Sequence, residues 1–213
     1  DGNWLRLCDA TPIHKNLVTV SRHPLRALAI AGLNWVRPAM FMQTLDEYLA
    51  TLAPGTKIDI FVIHQLLDEF VPYKSNQISG VAIAEKLKPF GVRMVLMGDL
   101  HETTDMELSG IKFVYTGSTE VNSISEKYDK SFVILDIPDN DDSPITFQRY
   151  PIDTRPLIHK FIQSEKDLDE LLVEFMHTAP ESRQPFLMIE YDIEGRELAA
   201  RAEAVLKDKA LFR

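Results

Sequence analysis

Two histidines stand where apolar runs stop, and a carboxylate stands beside the second of them. The run IDIFVIH (58–64) ends in His64, with Gln65 next. The run VRMVLMG (92–98) ends at Gly98, and Asp99, His101 and Glu102 follow at once. Imidazole suits Mn, Fe or Zn, and carboxylate oxygen suits the harder divalent ions. Asp99 and His101 are two residues apart. In an extended turn their side chains can reach two adjacent cations, an arrangement suited to two-metal hydrolytic chemistry. A strand-end histidine also serves as an ordinary hydrogen-bonded cap, and composition and spacing leave both readings open.

Such side chains need buried strands to deliver them. From Ile60, IDIFVIH carries four apolar residues in five positions, the near-continuous run of a strand covered on both faces. VRMVLMG has the same character. LVTV (17–20), LRALAIAGL (25–33), IKFVYTG (111–117) and KSFVILDI (130–137) also read as strands, and ITFQRYPID (145–153) alternates like a half-exposed one. Helical spacing appears from Pro38 to Leu52, through Phe41, Leu45, Tyr48, Leu49 and Leu52, and Pro54-Gly55 closes it. A second helix is expected from Ser79 to Phe90. Strands separated by helices come first and consecutive strands afterwards, which predicts a layered α/β (α+β) sandwich.

The composition shifts near Arg155-Pro156. LIHKFIQ (157–163) reads as a strand, and Ser164 with Asp167 makes a capping start for the helix DLDELLVEFMHTA (167–179). FLMIEYD (186–192) is a further strand, and 195–212 a further helix. The predicted organisation is therefore a main domain over 1–153 and a small β-α-β-α domain over 154–213. A unit that short is expected to pack on the larger part.

The 213 residues, 45% apolar and 26% charged, have the make-up of an ordinary globular protein. No stretch approaches the roughly 18 apolar residues of a membrane helix. With a single cysteine, Cys8, the chain cannot form an internal disulfide, and with no charged-then-apolar leader the expectation is a cytoplasmic protein. The net charge of −9 argues against broad nonspecific nucleic-acid binding, which needs a basic surface. It leaves room for a nucleic-acid enzyme whose carboxylates hold divalent cations.

GDLHE (98–102) followed by KFVYTGSTEVNSISEKYDKSFVILDI (112–137) resembles the calcineurin-like metallophosphoesterases, and among them the SbcD-type double-strand-break repair exonucleases. In that family a strand ending in Gly-His-x-His precedes a strand ending in Tyr-x-Gly-Ser. A Glu, a Lys and an apolar strand come next. The counterparts here are Tyr115 to Ser118, Glu126, Lys130 and Phe132 to Ile137. An Arg-Pro that opens a small capping domain matches Arg155-Pro156, and a strand-end His-Gln matches His64-Gln65. The resemblance runs from about residue 17 to the end.

The resemblance implies a partial four-layer αββα metallophosphoesterase sandwich carrying a small capping domain, with His64, Asp99 and His101 as metal ligands. Gln65, Gly98 and Ser118 would stand behind the ligands or against the substrate, and Arg155 would touch DNA. It implies two divalent ions, Mn foremost and Mg, Fe or Zn as alternatives, with DNA as substrate and metal-assisted phosphodiester hydrolysis as the reaction. An SbcC-type ATPase subunit is the implied partner, with a possible homodimer and no membrane.

Asp99 stands where the family carries the first histidine of Gly-His-x-His, and none of its Asp-x-His, Gly-Asp-x-x-Asp or Gly-Asn-His-Asp motifs precedes His64. Asp1-Gly2-Asn3 is similar to the end of the last of these. The expectation is therefore a carboxyl-terminal part, weak or inactive alone, whose catalytic histidine lies in an absent amino-terminal half. Two rival readings stand beside this one. The first is a phosphomonoesterase or cyclic-nucleotide phosphodiesterase of the same fold. The second is a degenerate fold kept as a non-catalytic binding module. His14, His23 and His177 read as loop or surface histidines, and His159 as solvent-facing. Glu102 to Asp105 reads as a polar loop, Trp35 as a packing residue, and Lys160 and Arg183 as solvated surface.

Overall fold

The computed structural model describes residues 11–22, 25–71, 78–121, 126, 130–140, 143–178 and 185–212. Asp1 to Asn3, Cys8, His23 and Arg183 lie outside the described residues. The chain is a mixed α/β protein that packs as two compact units. The first comprises 1–118 and 131–151, the second 119–130 and 152–213.

The first unit is built on a six-stranded sheet. Its strands are β1 (Asn16–Arg22), β2 (Leu25–Leu33), β3 (Ile60–His64), β4 (Met94–Gly98), β5 (Thr104–Leu108) and β6 (Ile111–Tyr115), in the order β1-β2-β3-β4-β6-β5. The central strands β2, β3, β4 and β6 run parallel, and β1 and β5 close the edges antiparallel. The connections carry α1 (Pro38–Ala50) between β2 and β3, and α2 (Gly80–Leu87) between β3 and β4.

Strand alternation divides the core in two. Ala31, Leu33, Phe61, Ile63, Val95, Met97, Phe113 and Tyr115 face one way and bury against Phe41, Leu45 and Leu49 of α1 and Ile83 and Leu87 of α2. The intervening residues Leu28, Ile60, Met94 and Val114, with Ile30, Val62 and Leu96, face the other way. There they meet Leu135, Ile137, Ile145 and Phe147. These last belong to or flank an antiparallel pair, β7 (Ser131–Asp136) and β8 (Thr146–Pro151), which forms a separate two-stranded sheet. Helices thus cover one face of the main sheet and a second sheet covers the other, which explains why the central strands are apolar at nearly every position.

Two polar ties hold the second sheet in place. Buried Asp59, just before β3, accepts the Ala29 amide and pairs with Arg93 at 2.9 Å. Arg93 reaches on to the carbonyls of Asn140 and Ser143 between β7 and β8. At the other edge Arg149 of β8 pairs with Asp105 of β5 at 2.9 Å. The outer face of the hairpin is open, with Phe132 and Tyr150 stacked at 5.4 Å and Ile134 exposed beside them.

The second unit has β9 (Leu157–Ile162), β10 (Phe186–Tyr191) and β11 (Leu211–Phe212) in parallel, ordered β11-β10-β9. The helices α3 (Glu165–Thr178) and α4 (Arg196–Leu206) bury Leu171, Phe175, Ala202 and Leu206 against Ile158, Ile162 and Leu187. Ser164 and Asp167 close α3 reciprocally, with the Ser164 amide donating to the carboxylate at 2.8 Å and the Asp167 amide to Ser164 Oγ at 3.3 Å. The start of α4 lies so close to β9 that a Cβ at Gly195 would sit within 2 Å of the Ile162 carbonyl. Lys130 is almost wholly buried and pairs with Glu126 at 2.6 Å.

Two elements differ from the sequence expectation. Thr104 and Asp105, read as part of a polar loop, open β5, because an edge strand with one exposed face keeps polar residues and pairs through its backbone. The last helix stops at Leu206 rather than running to 212, and Leu211–Phe212 adds a strand to the small sheet. No helix among the described residues is long and apolar enough to cross a membrane.

Candidate functional site

The parallel strands end together, and a cleft of about 450 Å³ opens there. It is lined by Leu33 at the end of β2 and Asn34 after it, Val62 to His64 of β3, Leu96 to Gly98 of β4, Thr116 after β6, and the segment Thr11 to His14. Ligand sites in open α/β sheets characteristically lie outside the carboxyl ends of the strands.

Sheet geometry accounts for the position of His64. Val62 faces the second sheet, and the strand period of two turns His64 to the same side one step beyond the core. His64 is paired in register with Gly98 of β4. A Cβ at position 98 would lie 2.6 Å from His64 Nδ1, so glycine is what lets the imidazole rest over the end of the neighbouring strand. The next residue, Asp99, has φ +89°, a left-handed conformation rarely taken by a residue with a side chain. Only two other described non-glycine residues share that property. Lys15 at φ +48° follows His14 directly, and Ser109 sits in the β5–β6 turn. Two of the three thus flank the cleft, and backbone strain of this kind gathers at functional sites.

The other residues singled out in the sequence fall in different places. His101 is exposed on the loop after β4 and, like Asp99, does not line the cleft. Its carbonyl accepts the Ser118 amide at 3.3 Å, which ties the loop after β6 to the loop after β4. Gln65 is buried, and its Nε2 donates to the Val36 carbonyl at 2.7 Å. The Gln65 carbonyl accepts the Tyr115 hydroxyl at 2.6 Å, and the same hydroxyl accepts the Leu67 amide at 3.1 Å. Burial pushes the Tyr115 phenol well above its ordinary value, so it stays protonated and pins the turn after β3. In the second unit the Arg155 guanidinium lies 5.0 Å over the Phe186 ring, and its amide donates to Glu120. Trp35 is 54% exposed and does not pack in the core.

Among the described residues no three His, Cys, Asp or Glu side chains group as a metal centre requires. His64, Asp99 and His101 therefore do not by themselves fit the two-ion centre that the resemblance implies.

Sequence pattern assigns His14 to a loop or the surface; it is exposed, and it borders the cleft. It forms a bridge with Gly32 of β2, and its Nδ1 accepts the Asn34 amide at 2.9 Å. The Lys15 amide donates to the Gly32 carbonyl at 2.9 Å, and Asn16 Nδ2 to the Pro12 carbonyl at 3.1 Å. These bonds hold the segment against the end of β2. The bonds of His14 and Lys15 link residues 17 and 20 apart, so no local spacing in the sequence announces them. Thr11, Asn34 and Thr116 join the cleft in the same way, through strand ends rather than through a motif. Comparison with protein-family models and with curated proteins gives no match to this chain.

Proposed function

We propose that the chain is the carboxyl-terminal part of a metallophosphoesterase that cleaves phosphodiester bonds in DNA, in the manner of the SbcD-type repair exonucleases it resembles in sequence. The observation that carries this reading is the strand-end cleft, where His64 rests over Gly98 and the strained Asp99 follows directly. The layering of helices, main sheet and second sheet is compatible with three of the four layers of an αββα sandwich. In this reading two divalent ions, manganese foremost, would supply the hydrolytic water, and most of their donors lie outside the described residues. The residues of this chain provide shape and orientation. Gly98 makes room for the His64 ring, Tyr115 fixes the turn after β3, and Thr116 and Asn34 present polar groups to a bound phosphoester. An ATPase subunit of the SbcC type, a homodimeric state and a cytoplasmic location belong to the same proposal.

Manganese-dependent hydrolysis of linear double-stranded DNA by the natural full-length product tests it. His64→Ala is expected to lower the rate by about a hundredfold, the scale seen when metal-site residues are removed. Hydrolysis that the substitution leaves unchanged rules out His64 as a site residue.

A second reading, a phosphoesterase fold retained as a binding module, draws support from the lack of a three-donor group among the described residues. A full-length product that binds DNA and does not hydrolyse it in manganese would favour that reading.

A further inference from the structure

His14 differs chemically from a metal-ligating histidine. A ligating imidazole binds the ion through one nitrogen and typically donates the N–H of the other to a carboxylate or carbonyl. At His14 the relation is reversed, because Nδ1 accepts a backbone N–H from Asn34 at 2.9 Å. In a neutral imidazole one nitrogen accepts and the other donates, so the ring proton is on Nε2. His14, exposed at the border of the cleft, therefore carries a hydrogen-bond donor at Nε2 and no free lone pair for a cation. The strained turn at Lys15 and the bridge to Gly32 hold the residue in that place.

The remaining lining suits an anionic oxygen. Among the described residues the cleft holds Thr11, Asn34, His64 and Thr116 as its other polar side chains and no carboxylate, while Val62 and Leu96 give it an apolar wall. Its volume of about 450 Å³ is that of a small-molecule site. We infer that His14 is a phosphate-binding residue, whose Nε2–H donates to a non-bridging phosphate oxygen of a nucleotide-sized ligand seated in the cleft. The inference rests on the reading of the cleft as a phosphoester site and adds to it the residue that holds the phosphate.

The probe is thymidine 5′-monophosphate, titrated against the natural full-length product and its His14→Asn and His14→Gln variants, with thymidine as the control lacking phosphate. Asparagine can place an acceptor where Nδ1 stands and so keep the Asn34 amide bonded, but it is too short to reach the ligand. Glutamine reaches as far as Nε2 and can restore the donor. His14→Asn is expected to weaken nucleotide binding by about tenfold, the order of one hydrogen bond to a charged group, and His14→Gln by about threefold or less. Thymidine is expected to bind all three alike. Nitrogen-15 spectra of the wild-type imidazole are expected to show His14 protonated at Nε2 and bare at Nδ1.

Nucleotide binding by His14→Asn equal to that of the wild type overturns the inference and leaves the reading of the cleft standing. So does a His14 ring protonated at Nδ1 alone. Retained binding in His14→Asn with loss in His14→Gln assigns the residue a purely structural role and overturns it too. A natural full-length product that binds no nucleotide overturns both the inference and the phosphoester reading.

Discussion

At the scale of single residues, the strand end after β4 combines two features that ordinary packing does not need. Gly98 leaves space for an imidazole, and Asp99 takes a conformation that costs a side-chain-bearing residue about 1 kcal/mol or more. Glycine relieves that strain but increases the entropy of the unfolded chain, and the two effects are of similar size. Asp99→Gly is therefore expected to leave stability unchanged or raised by up to about 1 kcal/mol, while Asp99→Val lowers it by about 2 kcal/mol, both read from urea unfolding. A loss of more than about 1 kcal/mol in the glycine variant would mean that the carboxylate holds stabilising bonds instead of tolerating strain. The contrast between His64 and His14 also belongs to this scale. The first ends an apolar run and is visible in the sequence. The second acquires its place from an amide twenty residues away.

At the scale of elements, α2 shows how a helix start is built from a distant carboxylate. Ser79 caps it through the Ala82 amide, and Glu69 accepts the Gly80 amide at 2.8 Å and the Val81 amide at 3.1 Å. Burial alone would push the Glu69 carboxyl up, but these amides and the Ser79 hydroxyl outweigh it and hold the carboxyl below its ordinary value. A lowered carboxylate contributes stability that is fully present above its unfolded value of about 4.3 and is lost as pH falls through the folded one. Glu69→Gln is expected to lower the denaturation midpoint at pH 7, with the gap to the wild type shrinking as the pH falls below the ordinary carboxylate range and the Glu69 carboxyl takes up its proton. A gap that does not shrink on acidification would show that the loss is one of shape and not of charge. The periodic elements were legible in the sequence: β3, β4 and α1 announce themselves through apolar runs and helical spacing. The strand β5 did not, because its sequence TDMEL buries little, and its partner is set by the Ser109-Gly110 turn.

At the scale of the whole molecule, the chain carries separate cores. The first unit closes around Phe61, Val95 and Phe113, and the second around Leu171, Ile162 and Leu187. Leu171→Ala is expected to cost about 2–5 kcal/mol, the range for a fully buried leucine, and hydrogen exchange should show where. Amides of α3, β9 and β10 should lose protection while those of β3 and β4 keep theirs. Equal loss in both sets would mean that the two cores unfold together. The participation of 119–130 in the second unit is not legible in the sequence, since the segment lies between two strands of the first unit. The cleft was legible only in part, because strand ends far apart in the chain assemble it. Its walls nevertheless follow one rule. Val62 and Leu96 face the second sheet and are partly open to the cleft, whereas Ile63 and Met97, which also border it, are buried in the core against the helices. A mutagenesis library meant to change what the cleft accepts should therefore randomise positions 62 and 96 and keep 63 and 97 fixed, separating selectivity from foldability one residue at a time.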